Sequence, residues 1–232
     1  MQLFYEPNIT GDQFLLNEDE ARHCIKVLRK KADDLINIID GQGNFYVCEI
    51  KEAHSKKCLL AIKEKSPEEK RAYNIHLAIA PTKNIDRIEW LVEKAVEIGI
   101  DELSFVICQN SERQQLKLDR VEKKAISAMK QSLKASLPKI NPITKFSDFL
   151  KADLTGQKFI GYVDSTNPLH LKEAASKNDR YHVLIGPEGD FSNTELLEAE
   201  KAGFKKISLG KSRLRTETAG LVACHILNLI ND

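Results

Sequence analysis

Long hydrophobic runs are missing from this chain. No apolar stretch approaches the roughly 18 residues that a membrane-spanning helix needs. The opening Met1-Gln2-Leu3-Phe4-Tyr5-Glu6 lacks the basic segment followed by an apolar stretch that marks a secretory signal. A cytoplasmic protein with no membrane attachment is the expectation. Cysteine is sparse and scattered: Cys24, Cys48, Cys58, Cys108 and Cys224 are odd in number and never spaced as Cys-x-x-Cys. That excludes a disulfide framework, and without a histidine cluster it argues against zinc. His23 and Cys24 are neighbours, but adjacent residues on a helix or strand point in different directions. Five reduced thiols and no bound metal are expected. A dominant charge is also missing, since the formal net charge is +1 over 232 residues. The chain as a whole is therefore not a polyanion binder.

The charge that is present is uneven. Arg22, Lys26, Arg29, Lys30 and Lys31 fall within ten residues that hold no acid. Residues 111–145 hold nine basic residues against Glu112, Asp119 and Glu122, a surplus of six. Two such stretches on a neutral protein suit a polyanion docking on one face, although solvated helix faces give the same composition.

Patterning divides the chain in two, at 1–70 and 71–232. Asn17 with Glu20 marks the start of a short helix running to about Leu28. Strands are predicted at Leu35–Asp40, at Asn44–Glu52 with apolar alternation at Phe45 and Val47, and at Lys57–Glu64. The turn Asp40-Gly41-Gln42-Gly43 joins the first two, as in an antiparallel sheet or small barrel. Glu64–Arg71 is charged and apolar-free, which suggests a linker. Strands then alternate with helices. Strands are predicted at Asn74–Ala80, Leu103–Ile107, Lys158–Val163, His182–Ile185 and Lys206–Leu209. Helices are predicted after Asn84, from Asp119 to Ala135, after Ser192 and from Glu217 to Ile230. That alternation is the pattern of an α/β domain with a mostly parallel sheet.

Two loops of this second part carry chemistry. Ile185-Gly186-Pro187-Glu188-Gly189-Asp190-Phe191-Ser192 lies between a strand and a capped helix. Its glycines admit close backbone approach to a ligand. Glu188 and Asp190, with no lysine or arginine, repel a multiply charged phosphate and suit an amine or sulfonium. A plain strand-to-helix turn is the alternative. The second loop, Leu209-Gly210-Lys211-Ser212-Arg213-Leu214-Arg215, enters the last helix at Thr216, a reasonable N-cap, with Glu217 and Thr218 following. Arg213 and Arg215 are cations at the positive end of a helix, which is unfavourable unless an anion or acidic partner is nearby.

Together these loops resemble the 16S rRNA uracil-N3 methyltransferase family of the α/β-knot (SPOUT) superfamily. Lys83-Asn84-Ile85-Asp86-Arg87 through Glu97-Ile98-Gly99 resembles the first helix of its knot domain. His23 with Val27-Leu28-Arg29 resembles its RNA-binding motif, and Gln131-Ser132 with Pro138 resembles the middle of the chain. Asp190, Ser212, Arg213, Lys130, Lys134 and Ala32 depart from the usual pattern. The resemblance implies an N-terminal PUA-like β-barrel, a knotted C-terminal domain and a homodimer. It implies S-adenosylmethionine as cofactor and methylation of one uridine near the decoding region of the small ribosomal subunit.

On that footing Ile185, Gly186, Pro187, Glu188, Gly189, Leu209, Gly210, Leu214, Thr216 and Thr218 are candidates for holding the cofactor. Arg22, His23, Lys26, Arg29, Lys30 and Arg213 are candidates for RNA. Arg215 would stabilise charge developing on the uracil oxygens. Glu217 is a base, a substrate acceptor or simply a dipole-stabilising acid. A ribose 2′-O-methyltransferase of the same superfamily and a non-catalytic RNA-binding protein are the rival readings. A nucleotide hydrolase is disfavoured, because no Gly-Lys-Ser/Thr phosphate loop is present.

Overall fold

The computed structural model describes residues 2–162 and 169–232; Val163, the expected end of one strand, lies outside them. The described residues form two compact units. One consists of the chain through Lys70 together with Ile126–Leu137, the other of Arg71–Ala125 with Pro138–Asp232.

The first unit contains β1 (Leu3–Tyr5), β2 (Gln13–Leu16), α1 (Glu18–Arg22), β3 (Leu35–Ile39), β4 (Asn44–Glu52) and β5 (Cys58–Pro67), and α1 continues directly into a π-helical turn, His23–Val27. Among the described residues the sheet runs β1-β3-β4-β5-β2, parallel at β1–β3 and antiparallel elsewhere. It closes over a core that includes Phe4, Leu16, Cys24, Ile38 and Leu60. Strand β4 buries Tyr46, Cys48 and Ile50 and turns Phe45 and Val47 outward, the reverse of what their hydrophobicity suggests. The buried carboxylate of Asp40 decides this. It accepts from the amides of Gln42 and Asn44 and from the Tyr46 hydroxyl, fixing the turn and with it the pairing of Ile39 with Phe45. A slip of one residue would exchange the two faces.

Three features of this unit differ from expectation. The expected linker is half strand, for β5 continues to Pro67 and pairs its last residues with Asn44–Val47. Backbone hydrogen bonds do not depend on side-chain polarity, so a charged stretch extends a sheet wherever the neighbouring strand is long enough. Glu20 does not complete a capping box. Asn17 caps its amide, but the Glu20 carboxylate accepts from Tyr5 N and pairs with Lys130. Bonds that hold residues 126–137 to this unit include, besides Lys130 to Glu20, Ala135 N to Glu68, Gly43 N to the Ala135 carbonyl, and Leu137 N to the Gly41 carbonyl.

The second unit contains β6 (Asn74–Ile79), α2 (Ile85–Ile98), β7 (Glu102–Ile107), α3 (Leu118–Gln131), β8 (Lys139–Ile140), β9 (Thr144–Lys145), α4 (Phe146–Phe149), β10 (Gln157–Gly161), α5 (Leu171–Ala174), β11 (Arg180–Ile185), α6 (Asn193–Lys201), β12 (Lys205–Ile207) and α7 (Thr216–Asn231), with the end of α3 belonging to the first unit. Its described strands run β12-β10-β11-β6-β7-β8, with β9 also on β7, and every pairing is parallel. Helices cover the sheet, so β6 and β11 are buried almost throughout, as parallel strands require. Asn84 caps α2, whose apolar stripe Ile88, Leu91, Val92, Ala95 and Val96 is buried. Helix α7 packs against α2, β6 and β11. Close approach depends on Gly220, where a β-carbon would stand 2.9 Å from Ile79 Cδ1. All five cysteines are free and buried, and no described helix is long and apolar enough to cross a membrane.

Candidate functional site

Parallel pairing aligns the carboxyl ends of the central strands. Gly161, Ile185, Ile79 and Phe105 are successive partners across β10, β11, β6 and β7, and Gly161 also pairs with Ile207. The loops 80–84, 108–117, 186–192 and 208–215 therefore leave one edge of the sheet, the place where open parallel sheets bind ligands.

These loops are tied to one another. Glu188 accepts from Lys83 N at 3.0 Å. Asn110 Nδ2 donates to the carbonyls of Gly189 and Asp190 at 3.1 and 3.0 Å, and Arg113 Nε donates to the Thr82 carbonyl at 2.9 Å. Asp190 adopts φ 62°, the left-handed conformation that asparagine and aspartate tolerate better than other side chains. Burial raises the pKa of its carboxyl, against the Phe191 amide and Arg213, which lower it. Ser192 and Glu195 form the expected capping box at α6, and Glu195 also accepts from Gln109 N at 2.8 Å.

Of the expected cofactor residues, Ile185, Gly186 and Pro187 are buried, whereas Glu188 and Gly189 are exposed. Leu209, Leu214 and Thr218 are half-buried, and Gly210 is exposed at φ 117°. Gly186 is small for a different reason than expected. A β-carbon there would stand 2.9 Å from the Phe191 ring, so its space is filled by its own loop. Thr216 is not the cap of α7. Arg215 holds that position without a side-chain hydrogen bond, and Thr216 is the first helical residue, buried.

Arg213 and Arg215 are exposed, while Glu217 in the first turn of α7 is 6% exposed. Glu217 Oε1 lies 3.7 Å from Arg87 Nε, and its buried Oε2 has no hydrogen-bond partner among the described residues. A carboxylate out of water with one oxygen unmatched is costly unless a donor arrives. Arg87 lies in the motif-like stretch Lys83–Arg87 but was given no role there, and Asn110 and Arg113 were not found by motif. The only sequence signal for those two is proximity to the end of β7.

The two basic stretches fare differently. Arg120, Lys124, Lys130 and Lys139 pair with Glu89, Glu93, Glu20 and Glu102, acids outside the 111–145 stretch, so much of its surplus is neutralised. In the first unit Arg22 pairs with Glu18 and Asp19 on its own helix. Lys26 and Arg29 are exposed, Arg29 at φ 57°, while His23 and Lys30 are half-buried.

A family model described as an RNA methyltransferase domain matches residues 68–228, and one described as an RNA methyltransferase PUA domain matches residues 16–63. The ribosomal RNA small subunit methyltransferase E of Mesomycoplasma hyopneumoniae is 30% identical to this chain over 90% of each. That of Aquifex aeolicus is 27% identical over 98% of this chain and 99% of its own. A crystal structure of a probable rRNA-methyltransferase from Porphyromonas gingivalis is similar at TM-score 0.92 and 42% identity, covering 100% of this chain and 98% of the other. The ribosomal RNA small subunit methyltransferase E of Neisseria gonorrhoeae, solved bound to S-adenosyl methionine, gives TM-score 0.85 and 26% identity, covering 100% and 98%.

Proposed function

The chain belongs to the RNA methyltransferase family, with an α/β-knot domain and a PUA-like domain, and we propose that it methylates N3 of one uridine of 16S rRNA near the decoding region. The enzyme is S-adenosylmethionine-dependent and acts on small-subunit ribosomal RNA: its relatives are ribosomal RNA small subunit methyltransferases, and one of them was solved bound to S-adenosyl methionine. One observation supports the finer reading most: the acid-bearing loop 186–190 and the Arg215–Glu217 turn both belong to the loops and helix start at one edge of a parallel sheet. The residues suit the cofactor, because a sulfonium and an ammonium are favoured beside Glu188 and the unmatched oxygen of Glu217. Backbone of Ile185, Gly186, Gly189, Leu209, Gly210 and Leu214 would hold it, with Pro187, Thr216 and Thr218 shaping the walls.

S-adenosylmethionine supplies an electrophilic methyl group. The protein's task is alignment and charge placement. Uracil N3 must lose its proton, and the resulting charge spreads over the flanking oxygens. Arg215, exposed and with no side-chain hydrogen bond at the cap of α7, is placed to receive it. Glu217 accepts the N3 proton or holds the base by accepting its N–H, with Arg87 Nε 3.7 Å from its Oε1. Mass analysis of small-subunit rRNA from cells lacking the gene should show loss of 3-methyluridine. Unchanged 3-methyluridine with loss of a 2′-O-methylated nucleotide would move the reaction to ribose.

RNA docking is assigned to Arg22, His23, Lys26, Arg29 and Lys30 of the first unit, with Arg213 on the second. Changing Arg22, Lys26, Arg29 and Lys30 to Ala should flatten the salt dependence of RNA binding by roughly 0.7 per lost phosphate contact. Arg22, already paired with acids, should contribute least. An unchanged slope in a filter-binding titration would make these residues an ordinary solvated face.

A homodimer is part of the same reading. Helix α7 buries one face, but Leu221, Val222, Ile226 and Ile230 are only half-buried and Leu229 is 61% exposed. A second copy over that face would cover it. Light scattering should give twice the chain mass of 26.2 kDa, and a monomer would defeat the idea.

A further inference from the structure

We propose that the first unit carries a recognition cleft for one unpaired nucleobase of the RNA, separate from the methyl-transfer loops; this rests on the RNA-substrate reading above. The cleft encloses about 460 Å³, a volume in the range that binds small ligands, and its walls include Gln2, Leu3, His23, Ser127, Gln131 and Leu133. None of these residues comes from the loops 186–192 or 208–215.

The lining chemistry selects a base over a phosphate. Lys130 is the cation of the cleft, and it is already paired with Glu20. What remains holds no further lysine or arginine and no carboxylate: two amides, a hydroxyl and an imidazole, which offer donors and acceptors together, alongside the apolar side chains of Leu3 and Leu133. A phosphate offers only acceptors and a charge. A nucleobase offers mixed donors and acceptors on its edge and apolar faces above and below, as single-stranded RNA recognition uses.

Two backbone irregularities converge on the same cleft. His23 opens the π-helical turn His23–Val27, a rare element that recurs at functional sites. Its ring is steadied by Phe4, edge-on at 6.0 Å, and its Nε2 stands 3.5 Å from Gln2 Nε2. Leu133 has φ 56°, an outlier for a bulky side chain. Its place explains the conformation. Helix α3 ends in a Schellman motif, Lys134 N bonding to the Met129 carbonyl and Leu133 N to the Lys130 carbonyl, and Leu133 occupies the left-handed position where glycine is preferred. The chain keeps a leucine there at a conformational cost, and leaves its side chain 46% exposed at the cleft wall. A strained, exposed apolar residue is useful only if something covers it.

Leu133→Gly separates function from stability. It relieves the left-handed strain, so its Tm should be unchanged or raised by a few degrees, while affinity for single-stranded RNA in fluorescence anisotropy should fall about five- to tenfold, the lower part of the range for losing a base-stacking contact. Ser127→Trp, which fills the cleft, should show a similar loss. S-adenosylmethionine binding by calorimetry should be the same in both. A lowered Tm for Leu133→Gly would make Leu133 a packing residue and overturn the assignment. Wild-type RNA affinity in both variants, in an enzyme that still methylates small-subunit rRNA, would overturn the cleft alone. A wild-type protein that neither binds RNA nor transfers methyl groups would overturn the functional reading and the cleft with it.

Discussion

Replacing Arg215 with alanine should lower kcat by about 100- to 1,000-fold, the usual cost of losing one preorganised donor to a charge that develops in the transition state. S-adenosylmethionine affinity should not change. Thermal stability should hold or rise slightly, because a cation at a helix N-terminus costs about 0.3–1 kcal/mol and Arg215 has no side-chain hydrogen bond at the cap of α7 to offset it. Stability kept and turnover lost is the signature of a residue held in place for its chemistry. Arg215→Lys should recover part of the rate, since an ammonium restores the charge but not the planar fork. Single-turnover kinetics would reveal a different role if only KM rose, for then Arg215 docks substrate. Full activity in the alanine variant would remove it from the mechanism and leave Arg213 to be tested.

Acid should destabilise the second unit well before its surface carboxylates titrate. His76 and His182 stand on adjacent strands β6 and β11 with their Nδ1 atoms 2.9 Å apart, both buried. The Thr155 carbonyl can only accept, so His182 Nε2 must carry a proton and its Nδ1 must accept from His76 Nδ1–H. His76 Nε2 then accepts from the Ser104 hydroxyl, which in turn accepts from Asn141. Every partner is matched only while both rings are neutral.

Burial pushes His76 down to about 4 from 6.5 and lowers His182 in the same direction. The 4.0 Å approach of Glu102 to His76 is accordingly no ion pair at neutral pH, and Glu102 is held by Lys139 and Arg180 instead. Between these pKa values the unfolded chain binds more protons than the folded one. The stability contribution is thus complete above about pH 6.5 and is lost as pH falls towards 4, on the order of 3 kcal/mol from His76. Chemical denaturation from pH 7.5 to 5 should show a falling midpoint. A His76→Leu/His182→Leu variant should lose that dependence whatever its absolute stability. If the double variant keeps the wild-type slope, the pair is not its source.

Much of this molecule was legible in advance because local chemistry dictates it. Asn84 and Ser192 begin helices wherever a short acceptor precedes an apolar periodic run, and both cap α2 and α6 as read. The short runs read as strands at Asn74–Ala80 and His182–Ile185 fall in β6 and β11. The two candidate loops stood out as glycine with acid in one, where a plain turn was the alternative, and as Arg213 and Arg215 in the other, which capping does not explain.

What remained hidden involved partners distant in the chain. The surplus charge of 111–145 looked free, but Glu89, Glu93, Glu20 and Glu102 neutralise it from other elements. The outward face of β4 was misread because Asp40, rather than the hydrophobicity of Phe45 and Val47, fixes the register. Gly186 was read as room for a ligand and proved to be room for Phe191. The pairing of Arg87 with Glu217 joins residues 130 positions apart, and becomes possible only because Gly220 lets α7 lie directly on β6 and α2. The sequence by itself determined most of the longer elements and the caps at Asn84 and Ser192, since those depend on neighbours a few residues away. Only the tertiary structure decided which charges are spent, which face is buried and which acid is left with an unmatched oxygen, since each depends on contacts that chain order does not encode.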